Sequence, residues 1–167
     1  MAAKEKTLVI RCGKSGDERI LSEIEAACFP PQEAAGQQVF KQRLCVFGTH
    51  FYLLEQNGKV IGFINGMVSE KERICDEMFE DASLYREDGA WQMIFGLDVL
   101  PDYRRRGKAA VLLNHLIHEA KAQGRKGCVL TCKEHLITYY EKFGFINLGI
   151  SASSHGGAAW YDMVLYF

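Results

Sequence analysis

The sequence predicts a single α/β (α+β) domain spanning residues 1–167, a mixed sheet covered by helices. Three observations carry this. Apolar runs of strand length alternate with segments of helical spacing, in the order β-α-α-β-β-(α)-β-α-β-α-β-β. Asn57-Gly58, set between two apolar runs, signals a tight hairpin. An apolar strand, Met93 to Leu100, passes through a turn at Pro101-Asp102-Tyr103 into an amphipathic helix from about Gly107 to Gln123. A length of 167 residues suits one domain with one sizeable core.

Each element has a local reason. Thr7 to Arg11 is a short apolar run that reads as the first strand. Ser15 to Asp17 can cap a helix through about Ala27, with Ile20, Leu21, Ile24 and Ala27 on one face. Phe29-Pro30-Pro31 breaks it, and a second helix is predicted from about Glu33 to Phe47. Phe51 to Glu55 and Lys59 to Val68 form the hairpin arms. Lys71 to Glu87 is polar and acidic, a loop with a short helix. Cys128 to Cys132 is a buried strand, and His135 to Phe143 a short helix stopped by Gly144. Phe145 to Ile150 and Trp160 to Phe167 are the last strands, joined by the small, glycine-rich Ser151 to Ala159.

Bulk properties exclude several classes. Hydrophobic residues make up 48% and charged residues 25%, an ordinary globular balance. A net charge of -1 gives no bulk pull toward nucleic acid or an anionic membrane, so neither is expected as a partner. The six cysteines form no C-x-x-C pair, so no metal site is expected and reduced thiols in a cytoplasmic protein are the plain reading. The opening residues are polar, so no signal peptide is expected, and no run of transmembrane length and hydropathy is expected after them.

Against this neutral background, Arg104-Arg105-Arg106-Gly107-Lys108-Ala109 is a local basic cluster. A glycine-bearing helix start leaves free backbone N–H groups beside positive side chains, an arrangement suited to phosphate and to a diphosphate in particular. Leu97-Asp98-Val99-Leu100-Pro101-x-x-Arg104-x-x-Gly107-x-Ala109 resembles the acyl-CoA motif of the GCN5-related N-acetyltransferases (GNAT superfamily). Tyr140-Glu141-Lys142-Phe143-Gly144-Phe145 resembles the second signature of that superfamily. The resemblance covers nearly the whole chain. Within the superfamily it is nearest the arylalkylamine (serotonin-type) group and its bacterial relatives, through Glu23 to Phe29, Lys71-Glu72-Arg73 and Tyr140 to Phe145. It implies a mostly antiparallel sheet of about seven strands with about four helices, and acetyl-CoA as cosubstrate without a metal.

The resemblance also implies site residues. Backbone N–H groups from Arg105 to Ala110 would face the coenzyme A diphosphate, with Gly107 and Ala109 keeping the backbone close. Arg104, Arg106 and Lys108 would add charge-assisted contacts. Leu97, Asp98 and Val99 form the strand beside the pantetheine arm, with Leu97 and Val99 pairing to it through their backbone. Tyr140 would lie near the thioester sulfur and assist the departing thiolate. Full proton transfer from a phenol near pKa 10 to a thiolate near 8.5 is uphill by about 2 kcal/mol, so a strong hydrogen bond describes this better. Tyr139, about 100° round a helix, could not face the same atom.

An attacking amine must first lose a proton, a penalty of about 4.6 kcal/mol at pH 7 for an alkylamine near pKa 10.4. The arylalkylamine enzymes carry two histidines on the strand before the loop, where this chain has Met93 and Phe95. Neither can take a proton. With Leu97 they are expected to line the acceptor pocket, since residues two apart share a strand face. On that ground Asp98 would point to the opposite face. His155, in a flexible loop, is a candidate base or substrate contact. His115 and His118 read as packing or surface residues, His135 as a helix cap, and His50 has no evident partner. Phe29, before the Pro-Pro break, is a candidate acceptor contact. The acidic stretch Glu70, Asp76, Glu77, Glu80 and Asp81 could attract a cationic amine.

The expected activity is acetyl transfer from acetyl-CoA to a small primary amine, with an oxyanion held by a backbone N–H near Val99 or Leu100. Acetylation of a protein N-terminus or lysine is an alternative, as is a non-catalytic acyl-CoA-binding module. An exposed edge on the final strand would allow a homodimer.

Overall fold

A computed structural model describes residues 6–167; Met1 to Glu5, in the polar opening segment, lie outside it. In chain order the elements are β1 (Leu8–Cys12), α1 (Glu18–Cys28), α2 (Gln37–Phe47), β2 (Phe51–Gln56), β3 (Lys59–Asn65), β4 (Val68–Ser69), α3 (Glu77–Glu80), β5 (Trp91–Ile94), β6 (Gly96–Val99), α4 (Lys108–Ala122), β7 (Gly127–Cys132), α5 (Ile137–Glu141), β8 (Ile146–Ile150) and β9 (Tyr161–Tyr166). The expected order therefore holds, with two sheets in place of one: β1-β2-β3-β6 and β4-β5-β7-β9-β8. Among the described residues, β5 and β7 are the only paired strands that run parallel.

The division arises at Phe95. One continuous strand was expected from Met93 to Leu100, but it changes partners there: β5 pairs with β7, and β6 pairs with β3. Phe95 N–H donates to the Asn65 carbonyl at 2.7 Å, although Asn65 stands opposite Gly96 in the ladder. The irregularity reverses the side-chain alternation, as a bulge does. Met93 packs with Phe40, Phe47, Phe51 and Phe63 under α1 and α2, whereas Leu97 packs with Leu112, Leu113 and Leu116 of α4. Each fully buried side chain of this size contributes about 1.5–3 kcal/mol.

Local signals elsewhere behave as read. Asn57 (φ 51°) and Gly58 (φ 81°) both take the left-handed conformation that a two-residue hairpin turn demands. Gly144 (φ 95°) follows the short α5 helix. Asp17, at the α1 cap position, makes no capping bond; its carboxylate takes both guanidinium nitrogens of Arg11 at 2.9 Å. The second helix starts at Gln37, four residues later than expected, after a turn over residues 30–34. The final strand is not an edge. β9 lies between β7 and β8, and β8 forms the border, with Ile146 and Ile150 exposed.

Candidate active site

Because β5 stays with β7 while β6 leaves with β3, β6 and β7 diverge and open a notch between the two sheets. Leu100 N–H donates to Ile61 O at 2.9 Å, so alternation directs the backbone groups of Asp98 toward β3 and those of Leu97 and Val99 toward the open edge. The amide of Leu100 is thus committed and cannot serve an oxyanion; those of Leu97 and Val99 face the notch. The Val99 carbonyl already accepts from Arg104 Nε (2.9 Å) and Cys28 Sγ (3.4 Å).

After β6 the chain turns through Pro101 to Tyr103 and enters α4 by way of two left-handed residues, Arg105 (φ 60°) and Gly107 (φ 75°). The N-terminus of α4 has no side-chain cap, and the first-turn amides of Lys108, Ala109 and Ala110 precede the first bond, Val111 N–H to Gly107 O at 3.1 Å. A cleft of about 650 Å³ lies against this turn. Its walls include Leu97, Val99, Arg104, Arg105, Gly107, Lys108, Ala109 and Ala110, with His135 and Tyr139 across from them. Arg106 is exposed and does not line it; Arg104, Arg105 and Lys108 of the cluster do, together with Lys133 from after β7.

A second cavity of about 290 Å³ lies deeper, lined by Phe79, Phe95, Gly96, Val39, Glu25, Arg43 and His155 among others. The two share a wall made by Phe29, Leu97, Leu136, Tyr140 and Trp160. Tyr140 therefore stands where the two spaces meet. Burial pushes its phenol above the ordinary range, and the neighbouring Cys132, Tyr139 and Asp98 act the same way. It remains a protonated donor at neutral pH.

The deeper cavity is roofed by contacts between distant segments. His155 stacks on Phe79 at 4.7 Å between ring centroids. Its Nε2 lies 2.9 Å from the Glu33 carbonyl, which can only accept, so the proton sits on Nε2 and Nδ1 is free. Glu33 also binds Lys133 Nζ at 2.9 Å, and Trp160 Nε1 donates to His155 O at 2.8 Å. Asp76 accepts from the Ser153 hydroxyl and the Ser154 amide, tying down the Ser151 to Ala159 loop.

A family model for the acetyltransferase (GNAT) family matches residues 18–145. The chain belongs to the GNAT acetyltransferase family. Members of this family use acetyl-CoA as the acyl donor. Serotonin N-acetyltransferase of Mesocricetus auratus is 31% identical over 109 residues, covering 65% of this chain and 51% of that protein. The human serotonin N-acetyltransferase is 28% identical over the same length. The chain thus spans about half the length of these curated relatives. The loading GNATL domain of CurA from Lyngbya majuscula superposes with a TM-score of 0.81 over 96% of this chain and 98% of that one, at 14% identity. Arabidopsis thaliana Naa50, solved with the bisubstrate analogue CoA-Ac-MVNAL, gives 0.74 over 96% and 99%, at 20% identity. Both likenesses establish the GNAT fold.

Within that fold the site residues divide. Phe29 lines both cavities, and Phe95 and His155 line the deeper one, where an acceptor was expected. Met93 does not: it faces the same way as Phe95 but is fully buried in the apolar core beneath it. Asp98 is fully buried too and does not line the basic cleft. It lies on the same side as Phe95 and Arg43, the reverse of the alternation expected for an unbroken strand. His135 lines the cleft and makes no capping bond. His50 has partners, Gln92 Oε1 at 3.0 Å and the Tyr85 hydroxyl at 3.2 Å. Sequence patterns do not mark Glu25, Glu33, Arg43 or Trp160 as pocket residues, yet all four line the deeper cavity. Their positions depend on tertiary contacts; the signals in the sequence are that Glu25 lies in the Glu23 to Phe29 stretch that carries the family resemblance and that Glu25 and Glu33 flank the Phe29-Pro30-Pro31 break. Among the described residues no cluster of His, Cys, Asp or Glu could hold a metal, and no helix is long and apolar enough to cross a membrane.

Proposed function

We propose that this chain transfers an acetyl group from acetyl-CoA to the primary amine of a small acceptor with an apolar or aryl side, by direct attack on the thioester. The observation that carries this reading is the shared wall: a basic cleft with free helix amides and an aromatic pocket meet at Leu97 and Tyr140. The residues of the cleft fit the acyl donor. Gly107 has open space where a Cβ would sit, and its backbone can approach a diphosphate closely. The amides of Lys108 to Ala110, with Arg105 and Lys108, would hold that diphosphate. Leu97 and the Val99 amide would pair with the pantetheine arm. Tyr140 would donate a hydrogen bond to the departing sulfur. Likeness to the serotonin N-acetyltransferases supports an amine acceptor, and Phe29, Phe79, Phe95 and Trp160 support an aryl group on it.

The roof favours a small acceptor over a peptide. His155 and Gly156 press against Glu33 and Gln32, bridging the two segments that would have to part for an open groove. The test is free-thiol release from acetyl-CoA across a panel of arylalkylamines, polyamines and N-terminal peptides. Arylalkylamines should be turned over fastest. Turnover of peptides alone would favour a protein acceptor, and coenzyme A binding without any turnover would favour a non-catalytic module.

A further inference from the structure

The deeper pocket holds a buried polar cluster that the proposed function leaves unused. Gly96 lies in the pocket wall. A Cβ on it would lie 3.0 Å from Asp98 Oδ1 and 3.4 Å from both Glu25 Oε1 and Asn65 Nδ2, so the bare glycine leaves the two carboxyl groups room at the wall. Nδ2 of Asn65 and Nε of Arg43 are buried without a hydrogen-bond partner, and no N–H or hydroxyl donor reaches either oxygen of Asp98, so only a proton held between it and the Glu25 carboxyl can satisfy it. Arg43 and Glu25 themselves line the pocket. Unpartnered polar atoms are costly to bury, and their concentration beside a cavity marks a place where a polar ligand or a proton is handled.

We propose that Glu25 is the proton acceptor for the attacking amine, and that Asp98 is a positioning residue sharing a hydrogen bond with it beside Gly96. This rests on the amine-acetyltransferase reading above. Glu25 is anchored through Oε2, which accepts from Ala35 N–H at 2.9 Å, leaving Oε1 on the Gly96 side. Burial raises the Asp98 carboxyl well above its usual range, and Glu25 acts in the same direction, so Asp98 carries the shared proton. Arg43 of α2 bonds Asn65 Oδ1 (3.2 Å) and Phe79 O (3.0 Å) while its charge faces both carboxyl groups. Cys28 of α1 and Tyr140 of α5 also face Asp98, and Glu33, Glu80, Cys132 and His155 are the other titratable groups of the pocket wall.

The step balances as follows. The ammonium N–H bond breaks and an O–H bond forms on Glu25. The freed lone pair forms the C–N bond to the thioester carbonyl carbon, and the C–S bond breaks with its electrons on sulfur. The second nitrogen proton ends on that sulfur, and the Glu25 proton passes to water.

The test compares an arylethylamine with its β,β-difluoro analogue, whose ammonium deprotonates far more readily. Glu25→Gln should lower kcat/KM for the first by about 100-fold at neutral pH. It should leave KM for acetyl-CoA unchanged and cost much less on the second amine. Gly96→Ala, which keeps both carboxyl groups but crowds the opening, should show the same selective loss and decides the matter if Glu25→Gln does not fold. An equal loss on both amines, or none, would overturn the assignment. So would a selective loss that follows His155→Asn and spares Glu25→Gln. If the unaltered protein releases no thiol with any amine, the acetyltransferase reading itself fails and this assignment falls with it.

Discussion

Tyr140 shows how burial decides a role. Its phenol, raised by its surroundings, is a poorer acid than free tyrosine, so outright protonation of a thiolate is less favourable still. A hydrogen bond to developing charge needs no proton transfer and gains strength in a dry site. Removing it in Tyr140→Phe should lower turnover about 10–100-fold, matching a charge-assisted bond of about 1.5–3 kcal/mol, with the KM for acetyl-CoA little changed. Steady-state kinetics with both substrates varied checks this, and unchanged turnover removes Tyr140 from the chemistry. Tyr140 was legible in the sequence because its signature is local, six residues from Tyr140 to Phe145. Glu25 and Arg43 were not. Each is one charged residue on an amphipathic helix, and its burial against Asp98 exists only once α1 and α2 pack on β6.

At the scale of elements, the strand–loop–helix unit carries the donor side. Gly107 takes φ 75° at the cap of α4, and nothing lies within 4 Å of where its Cβ would be. Any penalty for a side chain there is therefore conformational, about 1–2 kcal/mol for an L-residue in the left-handed region. Gly107→Ala should weaken coenzyme A binding by about 5–30-fold, or relax the loop and lose the same free energy in stability. Titration calorimetry with coenzyme A, beside a melting curve, separates the two. Sequence patterns located this unit, as they located the Asn57-Gly58 hairpin, because turn chemistry is written in adjacent residues. The partner switch at Phe95 was not legible. An irregular residue within an apolar run leaves the run unchanged in composition, yet it reverses which side chains face the pocket. The reversal brings Asp98 to the side of Phe95 and Arg43, whereas Met93, on that same side, misses the pocket because the Phe40, Phe47, Phe51 and Phe63 cluster buries it completely.

Across the whole molecule, the pocket trades stability for chemistry, and the trade has a definite sign in pH. The folded state raises the Asp98 carboxyl above its ordinary value of 3.8, chiefly by burial. The folded protein then binds more protons than the unfolded chain above that value, and stability falls as pH rises through the folded pKa. His50 works at the other end. Burial lowers its imidazole below 6.5, with the Arg125 charge adding to this against Glu87 and Gln92. Its contribution is present above that value and lost as pH falls through the folded one. Asp98→Asn removes only the first effect, and its amide can still donate to Glu25. The variant should melt higher than the unaltered protein at neutral pH, by about 2–4 °C for each kcal/mol recovered. The gap should narrow as pH falls toward 3.8 and close only below it, where the unfolded chain also protonates Asp98, while the acid-side loss from His50 stays common to both. Melting curves from pH 4 to 8 read this directly. Equal melting temperatures at every pH would mean that Asp98 costs nothing to bury, and would remove the reason to connect that cost with the acceptor pocket. A higher melting temperature together with slower amine acetylation would show the buried carboxyl retained at the expense of stability.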